Sequence, residues 1–154
     1  MAKNSLETGL TAYCGLYCGD CIRYASKVTD LICDLNNELK KVKFGDYVRV
    51  KSKQVKDFEY YGHFLQVIDA VIKLKCSTPC RNGGDGCKEP CPIKACVLTK
   101  GFTGCWECEK LAACEKFEFL KPFSGDLPKE NASKIMEYGL NKWVEHRSKF
   151  YSWL

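Results

Sequence analysis

The fold of this chain depends on residues 76–114, which read CSTPCRNGGDGCKEPCPIKACVLTKGFTGCWECEKLAAC. The segment contains eight of the twelve cysteines, separated by glycines, prolines and short polar stretches that show no helix or strand period. We expect that such a segment cannot fold by burying apolar side chains alone. Metal ligation contributes roughly 10 kcal/mol or more per structural site, which is enough to replace the missing core. The sequence therefore predicts an irregular lobe held together by metal ions.

The cellular compartment decides whether such cysteines form disulfides or bind metal. The opening residues MAKNSLETGL contain no apolar run typical of a signal peptide, and no later stretch approaches the roughly 20 apolar residues of a membrane span. These features predict a reducing, cytoplasmic location without a membrane segment. Closely spaced cysteines in such a compartment indicate metal thiolates rather than disulfides.

The spacing inside the segment is typical of zinc sites. Cys105-Trp106-Glu107-Cys108 follows Gly104, and two intervening residues let both sulfurs reach one ion at about 2.3 Å. The alternative, a thioredoxin-type redox pair, requires an alternating strand–helix chain, which this sequence does not show. Eight thiolates would also close two tetrahedral sites. The predicted ligands of this segment are Cys76, Cys80, Cys87, Cys91, Cys96, Cys105, Cys108 and Cys114.

A second cysteine motif, CGLYCGDC, places Cys14, Cys18 and Cys21 near the N-terminus as three further predicted ligands. No fourth cysteine is near in sequence. Either this site keeps an open position, or a cysteine from residues 76–114 crosses over and completes it, which is the alternative we favour. Radical enzymes use the same spacing for a four-iron cluster, but they need a barrel larger than this chain.

Three other side chains are weaker candidates for metal ligation. Cys33 lies within an apolar helical pattern and is predicted to be a small core residue. His63 and His146 are the two histidines of the chain, and both are predicted to be surface or packed residues. His63 is the alternative fourth ligand for the N-terminal site.

Helical patterns lie on both sides of the cysteine-rich segment. Apolar residues recur at three- and four-residue steps over 22–42, with Asp20 as the predicted N-cap, and over 55–72, with a predicted cap near Ser52. A turn at 44–46 would join the two patterns into a helical hairpin. This hairpin needs something further to cover its apolar faces.

The resulting prediction is a mainly α fold in a single domain. A third helical pattern begins near Pro128 and is interrupted at Gly139. The predicted parts of the domain 1–154 are an N-terminal metal-ligand segment at 1–21, a helical hairpin at 22–75, a cysteine-rich metal lobe at 76–114 and a C-terminal helix at 128–150.

Several blocks of this sequence resemble a cysteine-rich domain family of unknown function, which is found in bacteria and archaea and regarded as zinc-binding. The blocks are AYCGLYCGDCIRY, CRNGGDGC, CPIKAC, GFTGCWECEKLAACEKF and MEYGLNKWVE, and the resemblance covers nearly the whole chain. The spacing around Cys76 and Cys87 varies within the family pattern. The resemblance implies no activity. It implies metal ligation by Cys14, Cys18, Cys21, Cys80, Cys91, Cys96, Cys105, Cys108 and Cys114.

Charge and missing motifs limit the functions that the sequence supports. The formal net charge of +5 counts every cysteine as a neutral thiol. Because metal binding deprotonates thiols, three four-thiolate zinc sites would bring the charge to about −1, and two sites to about +1. Bulk charge therefore gives no support to nucleic-acid binding. The commonest hydrolase, nucleotide-binding and metalloprotease motifs are also absent from the sequence.

The sequence thus predicts a protein that binds two or three zinc ions and acts as a non-enzymatic, metal-stabilised interaction module. A protein is the favoured partner, nucleic acid is the less supported one, and the oligomeric state stays open. The alternative is an iron–sulfur or open-site metal protein that carries out redox, electron-transfer or thiol chemistry.

Overall fold

The computed structural model describes residues 8–84, 86–87 and 90–147. The chain divides into two compact units, and we describe each by itself. The cysteine unit combines the residues up to Tyr24 with those from Cys76 onward, whereas the hairpin unit is Ala25–Lys75. The hairpin unit is therefore an insertion between two parts of the cysteine unit.

The described residues are mainly helical, which confirms the predicted fold class. Their β structure is limited to one isolated bridge between Thr11 and Tyr17. None of the described helices has the length and apolar character needed to cross a membrane. The α-helices named below are α1 (Val28–Lys41), α2 (Phe44–Lys51), α3 (Tyr61–Lys73), α4 (Pro92–Thr99), α5 (Lys121–Ser124) and α6 (Leu127–Tyr138).

In the hairpin unit, α1 packs against both α2 and α3. Helices α1 and α3 are antiparallel, because Lys75 just beyond the end of α3 forms an ion pair with Asp30 in the first turn of α1. At the other end of the hairpin, the Phe44 ring contacts three aromatic rings, with centroids 5.5 to 6.2 Å away. These rings belong to Tyr47, Phe58 and Tyr61.

The first helix of the hairpin is shorter than the sequence pattern indicates. It begins at Val28, and Asp20 lies in a separate 3₁₀ turn at Cys18–Asp20, so the predicted cap is wrong. The Asp20 carboxylate instead accepts hydrogen bonds of 2.7 and 2.9 Å from the Arg147 guanidinium. An ion pair with a residue distant in sequence has replaced a local cap.

The connection between the two hairpin helices also differs from the prediction. Residues 44–46 begin helix α2 rather than a simple turn, and Lys43 before them has a left-handed backbone with a φ of 53°. Ser52 ends α2 instead of capping the next helix, and a 3₁₀ turn at Lys56–Tyr60 leads into α3. The aromatic contacts of Phe44 hold this connection in place.

The cysteine unit contains a helix and an apolar core that residues 76–114 do not reveal by themselves. Helix α4 begins with Pro92, and the Cys91 sulfur caps it by accepting from the Lys94 backbone N–H at 3.5 Å. The expectation of no helix in this segment is therefore wrong. Ile93 and Val97 on α4 are buried. Their buried partners, which lie outside the segment, are Ala12, Leu16, Phe117, Leu120 and Leu127.

The C-terminal helix holds the N-terminal residues in place. Helix α6 packs on the 3₁₀ turn at Cys105–Glu107. The Asn131 amide donates to the Gly15 carbonyl oxygen at 3.0 Å. Gly15 has a φ of +95°, and a Cβ there would lie 2.5 Å from the Pro128 carbonyl oxygen. Only glycine fits this close approach of backbone to helix.

Helix α6 ends at Tyr138, because Gly139 adopts a left-handed φ of 78°. The predicted helix over 128–150 is therefore too long, although the predicted interruption at Gly139 is correct. A 3₁₀ turn at Trp143–His146 follows, and residues 148–150 lie outside the described residues. Trp143 is fully buried, and its indole N–H donates to the Thr11 hydroxyl at 3.1 Å.

We expect Trp143→Ala to lower the free energy of unfolding by about 3–5 kcal/mol, because it removes a fully buried ring and its hydrogen bond to Thr11. Denaturant unfolding of the protein as purified measures this change. Met136→Ala is the matched control, since Met136 is 66% exposed, and its effect should stay within about 0.5 kcal/mol. Equal unfolding midpoints for the two variants would contradict the packing described here.

Candidate metal centre

All eleven predicted metal ligands lie in the cysteine unit, whereas Cys33 lies in the hairpin unit. All twelve cysteines are free thiols. Cys33 is half-buried on α1, His63 is exposed on α3, and the His146 ring stacks on Tyr138 with centroids 3.7 Å apart. Cys33 and His63 thus belong to the hairpin unit, and the His146 ring is in contact with Tyr138.

Four of the cysteines line one small cavity of about 30 Å³. We call Cys96, Cys105, Cys108 and Cys114 the four-cysteine group. Helix α4 supplies one sulfur, and the chain after it supplies the other three through successive short turns. In these turns the Cys108 N–H donates to the Cys105 carbonyl at 3.0 Å, and the Cys114 N–H donates to the Leu111 carbonyl at 3.2 Å. The remaining walls are mostly apolar, and they include Ile93, Val97 and Phe117.

The electrostatics of this group follow from burial. Burial raises the pKa of the Cys105 thiol to about 12, and the nearby sulfurs of Cys114, Cys96 and Cys108 act in the same direction. The Lys100 ammonium lies 3.7 Å from the Cys108 sulfur and offers a compensating positive charge. Close packing of several thiols thus disfavours their ionisation unless a cation joins them.

A second group forms where the N-terminal motif meets the start of the cysteine-rich segment. The Cys76 N–H donates to the Arg23 carbonyl at 3.0 Å, and this contact joins the two parts of the unit. Cys80 and Cys87 are close enough to raise the pKa of both Cys14 and Cys18, in addition to the larger effect of burial. The seven-cysteine group comprises Cys14, Cys18, Cys21, Cys76, Cys80, Cys87 and Cys91.

The partition of cysteines between groups does not follow their order in the chain. Cys76, Cys80 and Cys87 lie with the N-terminal motif. Two members of the seven-cysteine group also lie near the four-cysteine group, because Cys91 raises the pKa of Cys105 and Cys105 raises the pKa of Cys14. The eight cysteines of residues 76–114 therefore do not form two groups among themselves.

Arg81 is a component of the site that sequence analysis missed. Its guanidinium donates to the Thr11 carbonyl at 2.6 Å and to the Thr103 carbonyl at 2.8 Å. It also lies over the Tyr13 and Trp106 rings, 4.6 and 5.4 Å from their centroids. Nothing in the sequence distinguishes this arginine except its place directly after Cys80. It is a positive charge held among thiols, which favours their ionised form.

The cysteine side chains are chemically suited to bind a metal ion, but their sulfur atoms do not have the positions of a formed metal site. No three or more His, Cys, Asp or Glu side chains within 8–84, 86–87 and 90–147 are arranged to hold a metal ion. The sulfurs share a space without converging on one point. Cysteine has one side-chain torsion with staggered wells, so a rotation about it can turn a sulfur toward its neighbours. A donor set of sulfur alone is typical of zinc or iron–sulfur centres.

The fold and these clusters define a mainly α, cysteine-rich protein. A protein-family model described as "Protein of unknown function (DUF3795)" matches residues 10–119, and the chain belongs to this family. The matched range contains every cysteine and ends before α6 begins. Searches of the curated proteins and of the solved structures found no match.

We expect Arg81→Met to lower the free energy of unfolding by about 2–3 kcal/mol, because it removes charge-assisted hydrogen bonds to two carbonyl groups while keeping an apolar side chain of similar length. Chemical unfolding monitored by circular dichroism measures this loss. Lys110→Met removes a positive charge from an exposed position and should change stability by less than about 0.5 kcal/mol. If both substitutions have the same effect, Arg81 does not organise the site.

Proposed function

We propose that this protein binds metal ions through its cysteines and that the four-cysteine group is a structural zinc site. The observation that carries the proposal is the common cavity of about 30 Å³ that these four side chains line. Zinc binds four thiolates tetrahedrally at about 2.3 Å, so the ion draws the sulfurs closer together than they lie as free thiols. Rotation of the cysteine side chains between staggered wells would supply that movement.

A structural role fits the position of this group. Its ligands come from α4, from the turn under α6 and from the start of the 3₁₀ turn at Glu115–Leu120. An ion bound there would link three elements of the unit. A site closed by four thiolates has no open position for a substrate. The group therefore supports stabilisation rather than catalysis.

The seven-cysteine group supports a second metal centre. Seven thiols exceed the four that one tetrahedral ion requires. They suit one or two further zinc ions, for a total of two or three in the chain, or a four-iron cluster that uses four of the thiols. The observation that supports the iron–sulfur candidate is the donor set of sulfur alone, since cysteine thiolates are the ligands of such clusters.

We infer that the whole protein acts as a metal-stabilised binding module whose partner is another protein. The zinc form of the whole chain would be nearly neutral, which removes the charge that attracts nucleic acid. A metal ion in a closed thiolate site has no open position, so the surface of the cysteine unit would bind the partner. The iron–sulfur form would instead make the second centre the functional part.

We expect the purified protein to contain about two or three zinc ions per chain, with Cys108→Ser losing about one of them and Cys33→Ser losing none. The two substitutions remove the same atom, but only Cys108 belongs to a cysteine group. Elemental analysis together with an absorption spectrum measures the result. If the purified protein is brown and contains iron and sulfide, the proposed metal becomes an iron–sulfur cluster instead of zinc. Less than one metal ion per chain, or equal losses in both variants, would refute the proposed site.

We also expect removal of metal to unfold the cysteine unit. A strong chelator should lower the melting temperature by at least about 10 °C and open the chain near Lys94 and Lys100 to trypsin, because binding energy at structural thiolate sites is folding energy. Calorimetry and timed proteolysis with mass spectrometry measure these changes, and restoring zinc should reverse them. An unchanged melting curve after complete metal removal would show that the cysteines are not structural ligands.

A further inference from the structure

We propose that the hairpin unit pairs with the hairpin unit of a second copy of this chain through an exposed apolar face. We call this the stripe face. It comprises Val28, Leu31, Leu35 and Val42 on or next to α1, and Tyr60, Phe64 and Val67 on or next to α3.

The residues of the stripe face recur at helical spacing on both helices. On α1 they are separated by three, four and seven residues, and each is between 41% and 63% exposed. On α3 they are separated by four and three residues, and each is between 42% and 61% exposed. Apolar residues at alternating three- and four-residue steps form one line along a helix, as in the seam of a coiled coil.

Both lines lie on the same side of the hairpin. Helix α1 is buried along Thr29 and Asn36, and its apolar line is about 100° around the helix from there. Helix α3 is buried at Ile68, and its line is centred about 75° away in the same rotational sense. Because the two helices are antiparallel, rotations in the same sense bring both lines to one side. The stripe face is therefore continuous and two helices wide.

The hairpin unit has little core of its own. Val48 and Ile68 are its buried large apolar side chains, whereas the seven residues of the stripe face are exposed. A pair of helices that buries so little needs additional cover. Two such units joined face to face would form a four-helix arrangement with the stripe faces as its core.

The size of the stripe face fits a second copy as its partner. Its seven side chains expose roughly 700 Å², close to the ~800 Å² that each partner contributes to a stable interface of standard size. A twofold dimer uses the same surface on both copies, so the two stripe faces have the same width and length.

Sedimentation equilibrium of the full chain with its metal tests the proposal. We expect a species of twice the chain mass, and we expect Leu31→Glu together with Val67→Glu to raise the dissociation constant at least about 100-fold by placing charge in the apolar interface. Val50→Glu is the matched control, because Val50 is 73% exposed on α2 and lies outside the stripe face. It should leave the dissociation constant unchanged. Circular dichroism verifies that each variant keeps its helices.

Hydroxyl-radical footprinting gives a test without substitutions. Tyr60 and Phe64 should become protected as protein concentration rises, whereas Met136 in the cysteine unit keeps its reactivity. A wild-type monomer at every concentration would overturn the proposal. So would a dimer that the double substitution leaves intact, or one in which Tyr60 and Phe64 stay reactive.

Discussion

The hydrogen bond from the Trp143 indole to the Thr11 hydroxyl closes the cysteine unit, and the arrangement of the cysteines depends on this closure. The two residues are 132 positions apart, and both are fully buried. The Asn131 bond to Gly15 and the Arg147 pair with Asp20 hold the same N-terminal residues against the C-terminal ones. Together with the Arg81 hydrogen bond to the Thr11 carbonyl, these contacts fix the N-terminal cysteines relative to Cys80 and Cys87.

A second constraint is electrostatic. Eleven thiols lie in one unit, and burial together with neighbouring sulfurs raises the pKa of several of them, Cys14 and Cys105 among them. Arg81 and Lys100 offset part of this cost by placing positive charge beside sulfur. Bound divalent cations would offset the rest, because each converts repelling thiolates into ligands of a common centre. The raised pKa values of Cys14 and Cys105 therefore favour the protonated thiols where no cation is bound.

Both units have a small apolar core, and they differ in what could supplement it. The cysteine unit buries apolar residues from its N-terminal segment, α4 and the 115–120 turn, and its thiols are available for additional crosslinks. The hairpin unit has few buried apolar side chains and leaves a row of them exposed. Association of two hairpin units would complete a core that neither holds alone. The proposed metal binding and the proposed self-association thus lie in separate parts of the chain, and each can be tested without disturbing the other.

The sequence by itself determined the mainly helical class and the interruption at Gly139, and it identified the cysteines as the candidate functional residues. Helical periodicity and residue type are local properties, so they can be read without the tertiary structure. Helix α4 was missed because its two buried positions, Ile93 and Val97, are too few to show a period. Asp20 was misread as a cap because its partner, Arg147, is far away in sequence. Only the tertiary structure decided which cysteines lie together. Cysteine spacing restricts only neighbours along the chain, whereas the grouping of Cys80 and Cys87 with Cys14 and Cys18 follows from buried contacts between segments that are distant in sequence.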